Sequence, residues 1–305
     1  RALLQKHGVT LEVLGKSETL PLFGEYSTEM VRQALRQALG RQSRAPEHCV
    51  PEQGLAMRPP NLCAGCSHRS AFFTVREVFG DEAAYSSDIG CYTLGLLPPL
   101  SAADFLICMG SSVSMGSGFA TASGKTTIGF IGDSTFFHSG ITGLINAVHN
   151  DHDILVVILD NRTTAMTGHQ PHPGVEHTGQ GPNERRVEIE PLVRACGIEN
   201  VVTVSPLNHK ASRKAVEQMK ALSGPRVIIF QDPCVIHERR MSGKGKPQVA
   251  QVTQSDENCL NVLNSLACPA FVKEGDAVRV DEDMCSGCMF CLQLDKSFKA
   301  KKRGA

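Results

Sequence analysis

The chain has 305 residues, 41% hydrophobic and 20% charged, and its 31 basic and 31 acidic side chains give a formal net charge of +0. That balance excludes nucleic acid or an anionic membrane as the main partner, and with no Trp and only 3 Tyr the aromatic platforms of single-strand binders are missing too. No apolar run nears the roughly 18 residues of a membrane span, and no signal-peptide pattern opens the chain, so a cytoplasmic protein with one large core and a small satellite is expected.

Residues 1–45 read as the tail of a preceding domain. Residues 3–8 look like the end of a helix, residues 10–14 like a short strand. A helix capped at Ser27 follows, with Met30, Val31, Ala34, Leu35, Ala38 and Leu39 on one face and Gly40 as its stop. Prolines at 46, 51, 59 and 60 mark a linker over 46–61.

From 62 to 238 the apolar runs at 104–109, 126–131, 154–159 and 226–230 are continuous rather than alternating, as strands covered on both faces require. Helical stretches at 115–123, 139–150 and 209–222 supply the crossovers, so the expected fold is α/β, a doubly wound parallel sheet. Residues 239–255 read as a polar hinge. The remainder, 256–305, is too short to fold on apolar burial alone, and a bound cluster would staple a small ferredoxin-like α+β domain.

In a parallel sheet, ligands gather beyond the carboxyl ends of the strands. One such strand ends in Gly132-Asp133-Ser134 and the next in Asp160-Asn161-Arg162-Thr163. Asp133, the Asn161 amide oxygen and the Thr163 carbonyl form the kind of hard-oxygen set that magnesium takes alongside phosphate and water. Gly132 permits close backbone approach, and a helix starting near 139 adds a weakly positive end. Both segments also read as plain turns after buried strands. Gly110 to Gly116 fits either a turn against a cofactor or simple helix packing. The stretch Ser123-Gly124-Lys125-Thr126 has Phe119 where a phosphate loop needs glycine, and ATP binding is rejected.

Twelve cysteines without a secretory signal read as metal or redox ligands. Cys63-x-x-Cys66 suits an iron-sulfur centre, a zinc half-site or a redox pair. Cys285, Cys288 and Cys291 form the three-cysteine run of a bacterial ferredoxin, and Cys268 completes that set, since the fourth cysteine of each run serves the other centre. Zinc is the alternative occupant. For a second centre in this domain the positions read Asp256, Cys259, Val262 and Asp295, and that centre is expected to be absent. Cys49, Cys108 and Cys196 are assigned to linker or core.

Three stretches carry a family resemblance. Gly132-Asp133 followed by Asn161 resembles the diphosphate motif of thiamine enzymes, with Ser134 in place of its second glycine. Cys63-Ala64-Gly65-Cys66-Ser67-His68-Arg69 is similar to the Cys-Pro-Gly-Cys opening of 2-oxoacid:ferredoxin oxidoreductases, with Ala64 and Ser67 as departures. The loop at 164–174, Thr-Ala-Met-Thr-Gly-His-Gln-Pro-His-Pro-Gly, resembles the indolepyruvate branch of that family.

The resemblance implies thiamine diphosphate held through Mg2+ by Asp133, Asn161 and Thr163, with Gly132, Ser134 and Thr167 against the cofactor. It implies a proximal [4Fe-4S] cluster on Cys63, Cys66, Cys91 and Cys234, hence one or two clusters per chain. His68 and His169 are its candidate catalytic residues, with His138 and His172 behind them. The reaction implied is oxidative decarboxylation of an arylpyruvate with coenzyme A, giving an aryl-acetyl-CoA, CO2 and reduced ferredoxin. A beta subunit is the expected partner. The pyrimidine-binding domain and its glutamate are expected elsewhere, so the chain reads as a C-terminal piece. A pyruvate or other 2-oxoacid enzyme, and a non-catalytic electron-transfer module, remain as alternatives.

Overall fold

The computed structural model describes residues 6–11, 16, 19–42, 59–243 and 247–304. Most of the expected 10–14 strand, most of the 46–61 linker and Cys49 lie outside them. The chain divides into two compact units, 1–58 and 59–305. In the first, α1 (Thr28–Ala38) starts where the Ser27 hydroxyl accepts from the Met30 amide, and it buries none of its residues.

The second unit is built on a six-stranded sheet ordered β2-β1-β3-β4-β8-β7, every pair parallel. Its strands are β1 (Ala84–Ser87), β2 (Phe105–Leu106), β3 (Thr127–Gly132), β4 (Ile154–Asp160), β7 (Val201–Val204) and β8 (Arg226–Gln231), with the two-residue β5 (His177–Thr178) and β6 (Gly181–Pro182) forming a separate hairpin. β3 and β4 are buried along their whole length, which is why their sequences are apolar without alternation. Helices cover both faces. On one side α2 (Ser67–Phe79) and α6 (His209–Lys220) pack Phe72, Val75, Val216 and Met219 against Phe130 and Ile228. On the other, α3 (Ser111–Ser123), α4 (Ile141–His149) and α5 (Ile189–Ala195) pack Val113, Leu144 and Val193 against Ile131 and Val156. Phe72 meets Phe130 edge to face at 4.8 Å, both fully buried, and each such side chain contributes about 1.5–3 kcal/mol by leaving water.

Three expectations change. The strand read at 104–109 is only Phe105–Leu106 at the sheet edge, because Ser111 folds back onto the Cys108 amide and carbonyl to start α3. The span 239–255 is not one hinge. α7 (Val235–Ser242) enters it, and β9 (Gln248–Val252) pairs antiparallel with β12 (Phe298–Lys302). Helical structure after β3 begins at Asp133 rather than near 139, passing through a π-helical stretch at Phe136–Gly140 into α4.

The remaining elements are α8 (Glu257–Leu266), the hairpin of β10 (Phe271–Glu274) with β11 (Ala277–Val280), and α9 (Cys291–Leu294). With β9 and β12 they enclose a small core of Cys259, Leu266, Phe290 and Phe298, and Phe73 of α2 packs on it.

Candidate cofactor and metal site

Four adjacent parallel strands deliver their carboxyl ends to one edge, the usual place for a ligand in such a sheet. β1 runs into Asp88 and Cys91, β3 into Asp133, β4 into Asn161 and Thr163, and β8 into Cys234. The exits of β4 and β8 are tied, since the Cys234 amide donates to the Asn161 carbonyl at 2.9 Å and the Asp232 amide to that of Asp160 at 3.0 Å. A cavity of about 220 Å3 opens there, walled by His68, Cys91, Tyr92, Asp133, Asn161 and Thr163. A β-carbon on Gly132 would overlap the Tyr92 ring. Glycine is needed there so that backbone and ring can meet.

The polar groups of this cavity have assignable roles. Asp133, 2% exposed, accepts from the Ser134 amide on Oδ1 at 2.7 Å and faces His172 Nε2 across 3.0 Å on Oδ2. His172 Nδ1 accepts from the Gly174 amide, so the ring proton is on Nε2 and donates to Asp133. Asn161 Oδ1 accepts from the Thr163 amide, and its Nδ2 donates to His68 Nε2 at 3.2 Å. That arrangement needs a neutral His68. Burial enforces it by pushing the ring pKa down to about 4, with the Asp133 charge opposing.

Arg162 has φ 61, a left-handed conformation that costs a non-glycine residue about 1–2 kcal/mol. It turns the chain so that Asn161 and Thr163, on either side, both line the cavity. The Thr163 hydroxyl is buried without a hydrogen-bond partner, which fits a site lacking one more acceptor or ligand. Burial first, then the nearby Asp133 charge, raises the Asp160 carboxyl to about 6 despite Arg162. Two buried carboxylates beside an amide oxygen and an orphaned hydroxyl suit a divalent cation with a polyanionic ligand.

Of the other expected residues, Ser134 accepts from the Thr164 hydroxyl at 2.7 Å, and Thr167 lines the cavity with its hydroxyl on Gln170. His169 does not wall the cavity. Its Nε2 lies 3.8 Å from Cys234 Sγ and its ring stacks on His237. His138 is on the surface beside Ser139. Gly116 packs against Ile154 and Ser86 and serves helix packing, whereas a β-carbon on Gly118 would meet nothing within 4 Å.

The cysteines fall into two groups. Cys234 is close enough to Cys63 and Cys91 for its charge to raise both thiols, and Cys63 acts likewise on Cys91 and Cys66. Burial is the larger cause throughout, taking Cys66 to about 12 and Cys91 to about 11. Cys268, Cys285 and Cys288 in the same way raise the deeply buried Cys291. A β-carbon on Gly65, at φ +72, would overlap Ser286, so the Cys63–Cys66 turn and the Cys285–Cys288 turn touch. Among the described residues no three His, Cys, Asp or Glu side chains stand as a cage for a single metal ion. A four-iron cube is wider than an ion, and two sets of four thiols fit it in donor chemistry.

Asp256 caps α8 through the Cys259 amide, Asp295 accepts from Ser297, and Cys259 and Val262 are core. Cys196 borders the core, but Cys108 is exposed at the sheet edge, not in core or linker. Sequence reasoning missed Asp88, Tyr92, Asp160 and Arg69. Tyr92 donates its hydroxyl proton to Asp88 and accepts from the Thr135 hydroxyl inside the cavity wall, and the only sequence signal for it was its place directly after Cys91.

Residues 88–230 match the family model "Thiamine pyrophosphate enzyme, C-terminal TPP binding domain". The chain is 43% identical to the indolepyruvate oxidoreductase subunit IorA of Methanothermobacter marburgensis, over 99% of this chain and 49% of that protein. It is 42% identical to the IorA subunit of Archaeoglobus fulgidus, over 93% of this chain and 47% of that one. The chain thus spans about half the length of the curated relatives it matches. Among solved structures, 2-oxoglutarate:ferredoxin oxidoreductase from Magnetococcus marinus superposes with a TM-score of 0.52 at 17% identity, covering 62% of this chain and 69% of that one. At that identity the likeness shows the fold.

Proposed function

This chain belongs with the indolepyruvate oxidoreductase IorA subunits over the half of their length that it spans, and on that premise we propose that it is the diphosphate-binding and electron-relaying part of an arylpyruvate:ferredoxin oxidoreductase. The reaction is oxidative decarboxylation of indolepyruvate with coenzyme A to an aryl-acetyl-CoA, CO2 and reduced ferredoxin. One observation carries the reading: Asp133, Asn161 and the unpartnered Thr163 hydroxyl converge at the ends of neighbouring parallel strands. Asp133, Asn161 and the Thr163 carbonyl hold Mg2+, and Gly132, Ser134 and Thr167 border the diphosphate. When bound, thiamine diphosphate supplies the carbanion chemistry that releases CO2 and leaves electrons to be removed singly.

The protein's part is position and wiring. His172 fixes the Asp133 carboxylate by donating Nε2–H to it. Neutral His68 orients the Asn161 amide by accepting from Nδ2, and of the two histidines proposed as catalytic it is the one on the cavity wall. Cys91 lines the same cavity and belongs to the first thiol set, Cys63, Cys66, Cys91 and Cys234, assigned to a proximal [4Fe-4S] cluster. Cys268, Cys285, Cys288 and Cys291 hold a second. We assign the diphosphate-binding domain to 62–238 with the rest of α7, and the iron-sulfur domain to 256–305 together with β9, which pairs with β12. A beta subunit completes the enzyme, and so many thiol ligands suit the reducing cytosol. No helix of the described residues is long and apolar enough to cross a membrane.

The test is turnover by the full-length protein reconstituted anaerobically with its partner subunit. Coenzyme A-dependent ferredoxin reduction with indolepyruvate or phenylpyruvate, exceeding that with pyruvate, supports the reading. Equal or greater turnover of pyruvate contradicts the substrate assignment, and no thiamine dependence contradicts the reaction.

A further inference from the structure

Arg69 follows Cys66 by three residues on α2 and is 2% exposed. Burying a guanidinium in a globular interior is costly unless its donors are used. Here they are used in two opposed directions. Nη1 donates to the carbonyls of Leu266 and Ala267, at 2.9 and 2.8 Å. Nη2 donates to the Leu62 carbonyl at 2.7 Å and to Asn61 Oδ1 at 3.1 Å. Leu62 directly precedes Cys63, and Ala267 directly precedes Cys268.

One side chain therefore clamps the backbone entering each of the two thiol sets. The remaining donor, Nε, is buried without a partner. Its position is electrostatic as well as mechanical: burial lowers its pKa, and Cys268, Cys66, Cys63 and Cys288, as thiolates, oppose that by favouring its charge.

Resting on the reading that both sets carry clusters, we propose that Arg69 sets the electron relay: its fixed positive charge raises the reduction potential of both centres while its four hydrogen bonds hold their separation. Reducing a cluster by one electron adds one negative charge, and a buried cation beside the ligands stabilises that state. The low polarizability of the surroundings keeps the effect from being screened as it would be at the surface. Arg69 thus acts through the ligand backbone and the local field and is a positioning residue, not a catalytic one.

The test uses the full-length protein purified anaerobically, with iron and sulfide counted and the centres titrated by electron paramagnetic resonance. Arg69→Gln removes the charge and keeps a donor. Arg69→Lys keeps the charge and loses the two-sided clamp. Arg69→Gln is expected to keep its iron while at least one centre becomes harder to reduce by tenfold or more, equivalent to about 59 mV for one electron. Arg69→Lys is expected to stay within a few-fold of the parent potentials, with an altered spin interaction between the two reduced centres.

Unchanged potentials in an iron-loaded Arg69→Gln chain overturn the proposal and leave the cluster reading intact. Should the Gln chain lose its iron, the Lys chain decides: centres harder to reduce by tenfold, about 59 mV, despite the retained charge overturn the proposal. A parent protein with no iron overturns the cluster reading, and this proposal with it.

Discussion

His172 Nε2 stands 3.0 Å from Asp133 Oδ2, both residues are under a tenth exposed, and the His172 Nδ1 lone pair is already taken by the Gly174 amide. The ring therefore orients the carboxylate proposed to hold the cation. Partners of this kind commonly matter 10–100-fold to metal affinity. His172→Ala is expected to weaken magnesium-dependent thiamine diphosphate binding by about 10–100-fold while the fold persists, measured by calorimetry beside far-ultraviolet circular dichroism. Unchanged affinity would make the ring a packing element only.

Asp88 gives a pH prediction with a definite sign. Its carboxyl is fully buried against Tyr92, Ser112 and the Gly110 amide, and burial lifts its pKa to about 6 against an ordinary 3.8, with those hydrogen bonds opposing. Between these values the folded chain holds a proton that the unfolded chain has lost. This group's contribution to stability thus falls as pH rises from about 3.8 to about 6, no more steeply than about 1.4 kcal/mol per pH unit. Asp88→Asn removes that slope. Urea midpoints followed by circular dichroism from pH 4 to 7 check it, fluorescence being unsuitable in a chain with no Trp.

Gly65 is constrained twice, by φ +72 and by Ser286 across the contact. Gly65→Ala is expected to cost at least about 1 kcal/mol through the backbone alone. Its overlap with Ser286 would also part the two thiol turns and lower iron content. Adding Ser286→Gly should restore part of the iron but not the backbone cost, as thermal melts and iron counts on both variants would reveal.

Arg226, 1% exposed, donates to the Met219 and Gly224 carbonyls and pairs with Asp153 at the start of β4. Arg226→Met fills much of the space but takes the donor from the Gly224 carbonyl, while the Met219 carbonyl keeps the Leu222 amide. The expected loss is about 1–3 kcal/mol for the carbonyl left without its donor, seen as a lower melting temperature with cofactor affinity unchanged.

The central sheet was legible because β3, β4 and β8 are buried on both faces and so read as unbroken apolar runs. β1 was not legible. Its sequence Ala-Tyr-Ser-Ser is buried throughout, with the Ser86 and Ser87 hydroxyls unpartnered, and small polar residues in a core carry no apolar signal. β7 lies at an edge, where partial exposure dilutes the pattern. The proposed oxygen ligands at Asp133 and Asn161 could be read from strand ends and turn chemistry. The Tyr92–Asp88 pair and the Arg69 clamp could not, since Leu266 and Ala267 lie 197 and 198 residues beyond Arg69, and only the folded chain brings them together. His169 illustrates the converse: the loop motif suggested the cavity, but at φ 64 the backbone turns its ring toward Cys234.

The measurement that bears most directly on the account is calorimetric titration of the full-length protein with thiamine diphosphate, with and without Mg2+, for the parent and Asp133→Ala. The account predicts one site per chain, binding that requires the cation, and a loss of at least 100-fold in the variant, whose circular dichroism stays that of the parent. Tight binding that survives both chelation of the metal and removal of the Asp133 carboxylate would contradict it.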